Sequence, residues 1–171
     1  MNPNHRHYQF QIPTPASTPA LFKSAIWEAT FSDVGLCKLA VRAGPGSKKN
    51  ESDSTDKRFA RLKKMIAQRL SGKDVNFDFG EFDLSDAPDF HRSVWRAMFS
   101  IPFGAVLSYG DVAADAGSPM AARACGQACG ANRIILFIPC HRVVASSGIG
   151  GFGCGLEWKR ALLALEGVTE Y

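Results

Sequence analysis

The chain has 171 residues, 46% of them hydrophobic and 21% charged, which is the make-up of a folded globular protein and excludes global disorder. A net charge of +4 and a sequence pI near 8.9 are compatible with a polyanionic partner without demanding one. No apolar run approaches the roughly 20 residues of a membrane span, and the opening MNPNHRHYQF lacks the apolar core of a secretory signal, so a cytoplasmic protein with no membrane partner is expected, or a nuclear one in a eukaryotic source.

Residues 1–20, rich in Pro, Thr and Ser, read as an irregular lead-in. Ser24 to Thr30 and Leu36 to Val41 read as two short strands around the turn Ser32-Asp33-Val34-Gly35. Residues 44–57 read as an exposed loop, because GPGSKKNESDSTD has almost no apolar side chain. Phe59, Leu62, Met65, Ile66 and Leu70 recur at helical spacing and predict an amphipathic helix ending near Ser71-Gly72. A second helix is predicted from Phe90 to Phe99, burying Val94, Trp95 and Met98, with a domain boundary near residue 88. SYGDVAADAGSPMAARACGQACGAN then reads as two short helices about the turn Gly117-Ser118-Pro119, a helix-turn-helix candidate that the pattern alone does not tie to nucleic acid.

The five cysteines, at 37, 125, 129, 140 and 154, are odd in number and show no Cys-x-x-Cys spacing, which favours free thiols over a disulfide framework or structural zinc. His5 and His7 lie in a polar terminus and read as solvated, so no metal is expected. The segment with chemical content is FIPCHRVV, residues 137–144, a strand-like apolar run broken by Pro139 that presents Cys140, His141 and Arg142 together. A thiol attacks as its thiolate, and a neighbouring imidazole or guanidinium favours that form. Taken alone, a Cys-His pair is also compatible with a buried structural cysteine beside a chance histidine.

FIPCHRVV resembles the active-site signature of the O6-alkylguanine-DNA alkyltransferases, a Pro-Cys-His-Arg core between apolar residues. The resemblance covers roughly residues 59–171, including FHRSVWRAMFSIPFGAVLSYGDVAADAGSPMAARACGQACGAN upstream and GLEWKRALLALEGV downstream. It implies an α/β (α+β) fold, with a small sheet-plus-helix domain over 1–88 and a mostly helical domain over 89–171 that binds DNA and accepts the alkyl group. Cys140 would then be the acceptor, His141 the base that takes its proton through water, and Glu166 the carboxylate that orients the imidazole. Asn132 matches an asparagine hinge, although Arg133 stands where the family usually has Pro, and this arginine is a candidate phosphate contact. Tyr109 matches a tyrosine that hydrogen-bonds the extruded guanine.

On the DNA side, Arg123 matches the arginine that fills the stack behind a flipped nucleotide, on a helix entering the minor groove. Ala122, Ala124 and Gly126, with Ala121 and Ala128, would let that helix approach the backbone closely, though small residues also serve helix packing. Cys125 and Cys129 share one helical face and read as packing residues, as do Cys37 and Cys154. Arg142 is open between a structural and a DNA-facing role. GIGGFGCG, residues 148–155, departs furthest: the loop is short, and Phe152 keeps the ring of the usual Tyr without its hydroxyl.

The resemblance implies direct-reversal repair, in which one alkyl group moves irreversibly from O6-alkylguanine in DNA to Cys140, with O4-alkylthymine as a secondary substrate and no cofactor. One chain would extrude one base as a monomer, with cooperative binding along DNA left open. A cysteine hydrolase would need an oxyanion hole, which no motif announces, and a non-enzymatic lesion binder would not need Cys140.

Overall fold

The computed structural model describes residues 5–16, 18–44 and 56–171. The chain divides into two compact units, Met1–Asp83 and Leu84–Tyr171, a few residues before the boundary expected near 88.

The first unit is a three-stranded antiparallel sheet with a helix. Strands β1 (Arg6–Phe10), β2 (Ala25–Phe31) and β3 (Leu36–Ala43) lie in chain order, with Phe10 opposite Trp27 and Ala25 opposite Ala43. A four-residue helix, α1 (Ala20–Lys23), leads into β2. β1 corrects the irregular lead-in expected for residues 1–20: Tyr8 and Phe10 alternate inward, and pairing along β2 supplies the backbone partners. His7 lies in this strand, its Nδ1 2.9 Å from the Thr30 hydroxyl.

Helix α2 (Lys57–Arg69) has the expected apolar stripe, burying Phe59, Leu62, Met65 and Ile66. The Phe59 ring stacks on Tyr8 at 4.1 Å and meets Phe10 edge-on at 4.9 Å, which fastens the helix to β1. Residues 45–55 of the expected exposed loop lie outside the described residues. At its end, Asp56 is buried rather than exposed, because its carboxylate caps α2 through the Arg58 and Phe59 amides and accepts the Tyr8 hydroxyl at 3.0 Å. The turn between β2 and β3 requires Gly35, where a Cβ would stand 2.2 Å from the Glu81 carbonyl oxygen.

The second unit is mostly helical: α3 (Asp89–Phe99), α4 (Tyr109–Asp115), α5 (Ala122–Gly130) and α6 (Leu156–Leu165), with a two-residue parallel pairing of β4 (Leu107–Ser108) and β5 (Val143–Val144). Ser108 and Asp111 form a reciprocal capping box at the start of α4. At its end Gly117 takes φ 78°, with Ser118 N bonded to Ala113 O and Gly117 N to Ala114 O, the Schellman pattern that turns the chain toward α5. Trp95 of α3 donates its indole N–H to Ala128 O of α5 at 2.7 Å, so the two-helix unit is seated on α3. No helix among the described residues is long and apolar enough to cross a membrane.

Candidate active site

The apolar run before Cys140 is not a strand. Ile138 N bonds back to Ile134 O, Leu136 is held at φ 74°, and Cys140 N bonds to Ile138 O at 2.8 Å across Pro139. Pro139, at φ −82° and ψ 65°, is thus the centre of an inverse γ-turn, and the chain enters a single 3-10 turn over Cys140–Arg142. A buried leucine in the left-handed region is strained, and such strain persists only where the surroundings over-determine it.

Asn132 supplies that constraint. Its amide nitrogen donates to Ile138 O at 2.7 Å and to the Cys140 sulfur at 3.2 Å, while its oxygen accepts from Ile134 N at 3.0 Å. One side chain therefore ties the end of α5 to both sides of the cysteine turn. Burial pushes the Cys140 thiol up to about 11, against the Asn132 hydrogen bond, which favours the thiolate. At neutral pH only about one thiol in 10⁴ is then ionised, so the sulfur needs a proton acceptor.

His141 is 0% exposed, and its Nε2 lies 2.9 Å from Glu166 Oε1. Burial raises the Glu166 carboxyl, but the hydrogen bonds from His141 and Arg142 more than offset it and hold the group down at about 2. An ionised carboxylate only accepts hydrogen bonds, so Nε2 carries the proton and Nδ1 is the basic nitrogen of the neutral imidazole. Glu166 is placed at the end of α6, where Gly167, at φ 82°, closes the helix.

Arg142 resolves its two open roles toward structure, a correction to its grouping with the DNA-facing residues. It is 4% exposed; its Nε and Nη2 grip Glu166 at 2.7 and 2.9 Å, and Nη1 donates to Ile101 O at 2.6 Å. A guanidinium committed in this way has no fork left for phosphate.

The comparisons with known proteins bear on residues in this arrangement. Residues 89–168 match the family model described as 6-O-methylguanine DNA methyltransferase, DNA binding domain. A methylated-DNA–protein-cysteine methyltransferase of Mycolicibacterium paratuberculosis is 45% identical over 109 residues, 63% of this chain and 65% of that protein. The chain spans about three fifths of the length of the curated relatives it matches first. Among solved structures, the O6-methylguanine methyltransferase of Mycobacterium tuberculosis shares 30% identity over 95% of this chain and 92% of that one, with a TM-score of 0.71. The OGT of the same organism in complex with DNA shares 34% over 82% and 86%, with a TM-score of 0.68. This chain belongs to the O6-methylguanine methyltransferase family.

Seen as a family member, the chain brings together some of its expected site residues and leaves others apart. Asn132 is hydrogen-bonded to Cys140 and His141 to Glu166, two pairs brought together because Cys140 and His141 are consecutive in the same turn. Tyr109, first residue of α4, lies over Gly126 and against Gly150: a Cβ at Gly150 would come within 3.1 Å of its ring and 3.2 Å of its hydroxyl. Gly150 also has φ 70°, so glycine is required there twice over. Burial raises the Tyr109 hydroxyl, keeping it a donor at neutral pH.

Arg123 and Ala122 stand exposed in the first turn of α5, and Ala124 and Gly126 are half-buried, whereas Cys125 and Ala128 point inward. Cys129 packs its sulfur 3.4 Å from Met98 Sδ. Arg133 forms a bidentate pair with Asp86, through Nη1 at 2.8 Å and through Nη2, at the exposed surface. Phe152 is half-buried in the short loop. Among the described residues no three His, Cys, Asp or Glu side chains converge as a metal site.

Sequence reasoning missed Lys159. This lysine is 0% exposed, and its Nζ donates to the carbonyls of Val143, Ile149 and Gly151 at 2.6, 2.6 and 3.1 Å. It staples the loop carrying Gly150 and Phe152 to the strand that follows the cysteine turn; burial lowers its ammonium to about 8. Its signal was spacing: Lys159 precedes Glu166 by two helical turns and so shares its inward face. Replacing it by Met fills the volume but strands three carbonyls. The expected loss is at least about 2 kcal/mol, read from urea midpoints at pH 7.

Proposed function

We propose that this chain repairs alkylated guanine in DNA by moving the alkyl group to Cys140, once per molecule. The observation that supports this most is the cysteine turn itself, where a buried thiol held by Asn132 is followed directly by a histidine whose tautomer is fixed by Glu166.

In the proposed sequence α5 enters the minor groove, and Arg123 occupies the gap left when the damaged nucleotide swings out. Flipping costs a few kcal/mol, part of which a stacked guanidinium offsets. Exposure of Arg123 and Ala122 at the leading end of α5 fits that approach. The thiol proton passes through a water to His141 Nδ1, and the imidazolium is stabilised by Glu166, which is itself stabilised by Arg142. The thiolate attacks the alkyl carbon: the carbon–sulfur bond forms, the carbon–O6 bond breaks, and its electron pair leaves with guanine. The Tyr109 hydroxyl, as a donor to the base, stabilises that charge until the base takes up a proton from water and is restored as neutral guanine. O4-alkylthymine offers the same leaving-group chemistry and is the secondary substrate.

The thioether left on Cys140 is not readily hydrolysed, so no cofactor regenerates the thiol. One chain acts on one base as a monomer, in whichever of cytoplasm or nucleus holds the DNA. With duplex containing O6-methylguanine in tenfold excess, the number of guanines restored should plateau at one per chain. A count that keeps rising beyond one would contradict the mechanism.

A further inference from the structure

The positive charge of this chain is not carried by the unit that holds Cys140. Residues 84–171 contain seven Lys and Arg against seven Asp and Glu, whereas residues 1–83 contain 13 against nine. The whole surplus of +4 therefore belongs to the first unit. It is concentrated on α2, whose sequence KRFARLKKMIAQR has six cationic side chains and no carboxylate.

Three of those six are committed within the fold. Arg58 donates to the Ser32 carbonyl at 2.9 Å and lies 3.7 Å from Asp56, Arg61 is paired with Glu81, and Arg69 with Asp74 at 2.7 Å. Lys63 and Lys64 have no carboxylate partner among the described residues; Lys63 Nζ lies over the Phe59 ring at 4.9 Å. Together with Lys23 they line an open groove of about 960 Å³ along the segment from Gln11 to Ala16. Lys23 spends one of its three donors on Ala16 O at 3.0 Å.

The lining tells which anion fits. Among the described residues no acidic side chain lines the groove, and three ammonium groups act on it together. Among the described residues no aromatic side chain lines it either, so they offer no platform on which a base would stack. Ile12, its one large apolar residue, is buried, leaving nothing to insert among lipid chains. Lysine binds phosphate as a mobile point charge, suited to following a backbone rather than reading one fixed group.

We propose that this groove is a second DNA-backbone contact, independent of sequence and damage, carried by the N-terminal unit. The proposal rests on the reading of the chain as a DNA-acting protein. It adds that the long-range, salt-dependent part of the affinity comes largely from the unit without the reactive cysteine, while the uncharged-on-balance second unit supplies lesion recognition.

The test is the salt dependence of binding to undamaged duplex DNA, compared between the full-length wild type and the variant Lys23→Gln/Lys63→Gln/Lys64→Gln. Each phosphate contact contributes a slope of about −0.9 in log affinity against log salt, so the triple variant should have a slope shallower by about two to three. Lys63→Arg/Lys64→Arg keeps the charge and should retain the wild-type slope, separating charge from fold. An unchanged slope in the triple variant, with methyl transfer to Cys140 intact in the wild type, overturns this proposal alone. A wild type that neither binds DNA nor accepts a methyl group overturns the repair reading as well. Loss of binding to phosphatidylserine vesicles in the triple variant, with its DNA slope unchanged, also overturns the proposal by assigning the groove to a membrane surface.

Discussion

Glu166→Gln should be among the most destabilising single substitutions in this protein, at about 3–5 kcal/mol, because it leaves the buried Arg142 charge without its counter-ion. The side chains of Glu166 and Arg142 are 3% and 4% exposed, so water does not replace what is lost. The same variant should change the acid limb of the stability curve. In the folded chain the carboxyl sits at about 2, against an ordinary value of 4.5, so between these pH values the unfolded chain binds more protons than the folded one. Its contribution is thus fully present above about pH 5 and disappears as pH falls toward 2. A shift of this size corresponds to roughly 3 kcal/mol. Urea midpoints from pH 7 to pH 2 should fall steeply for the wild type and less steeply for Glu166→Gln. Equal slopes would mean that Glu166 is not the acid-sensitive group.

His141→Gln should leave the fold in place and slow methyl transfer by about 10²- to 10⁴-fold at pH 7, the ordinary range for loss of a general base. Glutamine retains an N–H to offer Glu166, so the Arg142–Glu166 pair keeps its geometry and circular dichroism should be unchanged. The pH profile distinguishes this from a packing defect. Without a base the rate follows the thiolate population, and with the thiol pushed up to about 11 it should climb about tenfold per pH unit through the neutral and mildly alkaline range. The wild type, with His141 as acceptor, should depend less steeply on pH. Single-turnover rates on O6-methylguanine duplex from pH 6.5 to 9.5 give both profiles. Parallel profiles would remove His141 from proton transfer.

The parts of the fold legible in the sequence are those where one residue type repeats with a clear period. α2 was legible because Phe59, Leu62, Met65 and Ile66 draw one stripe, and the two-helix unit because Gly117 and Pro119 interrupt two small-residue helices. β1 was not, since only Tyr8 and Phe10 mark its inner face and the pairing that stabilises it comes from β2, distant in sequence. The segment of residues 137–144 reads as strand-like because its apolar letters do not reveal an inverse γ-turn at Pro139 or the reach of Asn132.

Charged residues show the same limit at the site. Arginine and lysine are expected at the surface, so neither the burial of Arg142 against Glu166 nor that of Lys159 under three carbonyls follows from their identities. What made Cys140, His141, Asn132, Glu166 and Tyr109 legible was their matching order along one motif-rich half of the chain. The charge asymmetry is already present at the boundary expected near residue 88, with 13 Lys and Arg against ten Asp and Glu before it, and the division at Asp83 sharpens it.

The central claim is that Cys140 is the alkyl acceptor, and intact mass with peptide mapping tests it most directly. The wild type and Cys140→Ser are each mixed with excess duplex DNA containing O6-methylguanine. The account predicts the mass of one methyl group on the wild type, mapped to Cys140, and none on the variant. An unmodified wild type, or a methyl group on Cys125, Cys129 or Cys154 instead, would contradict it.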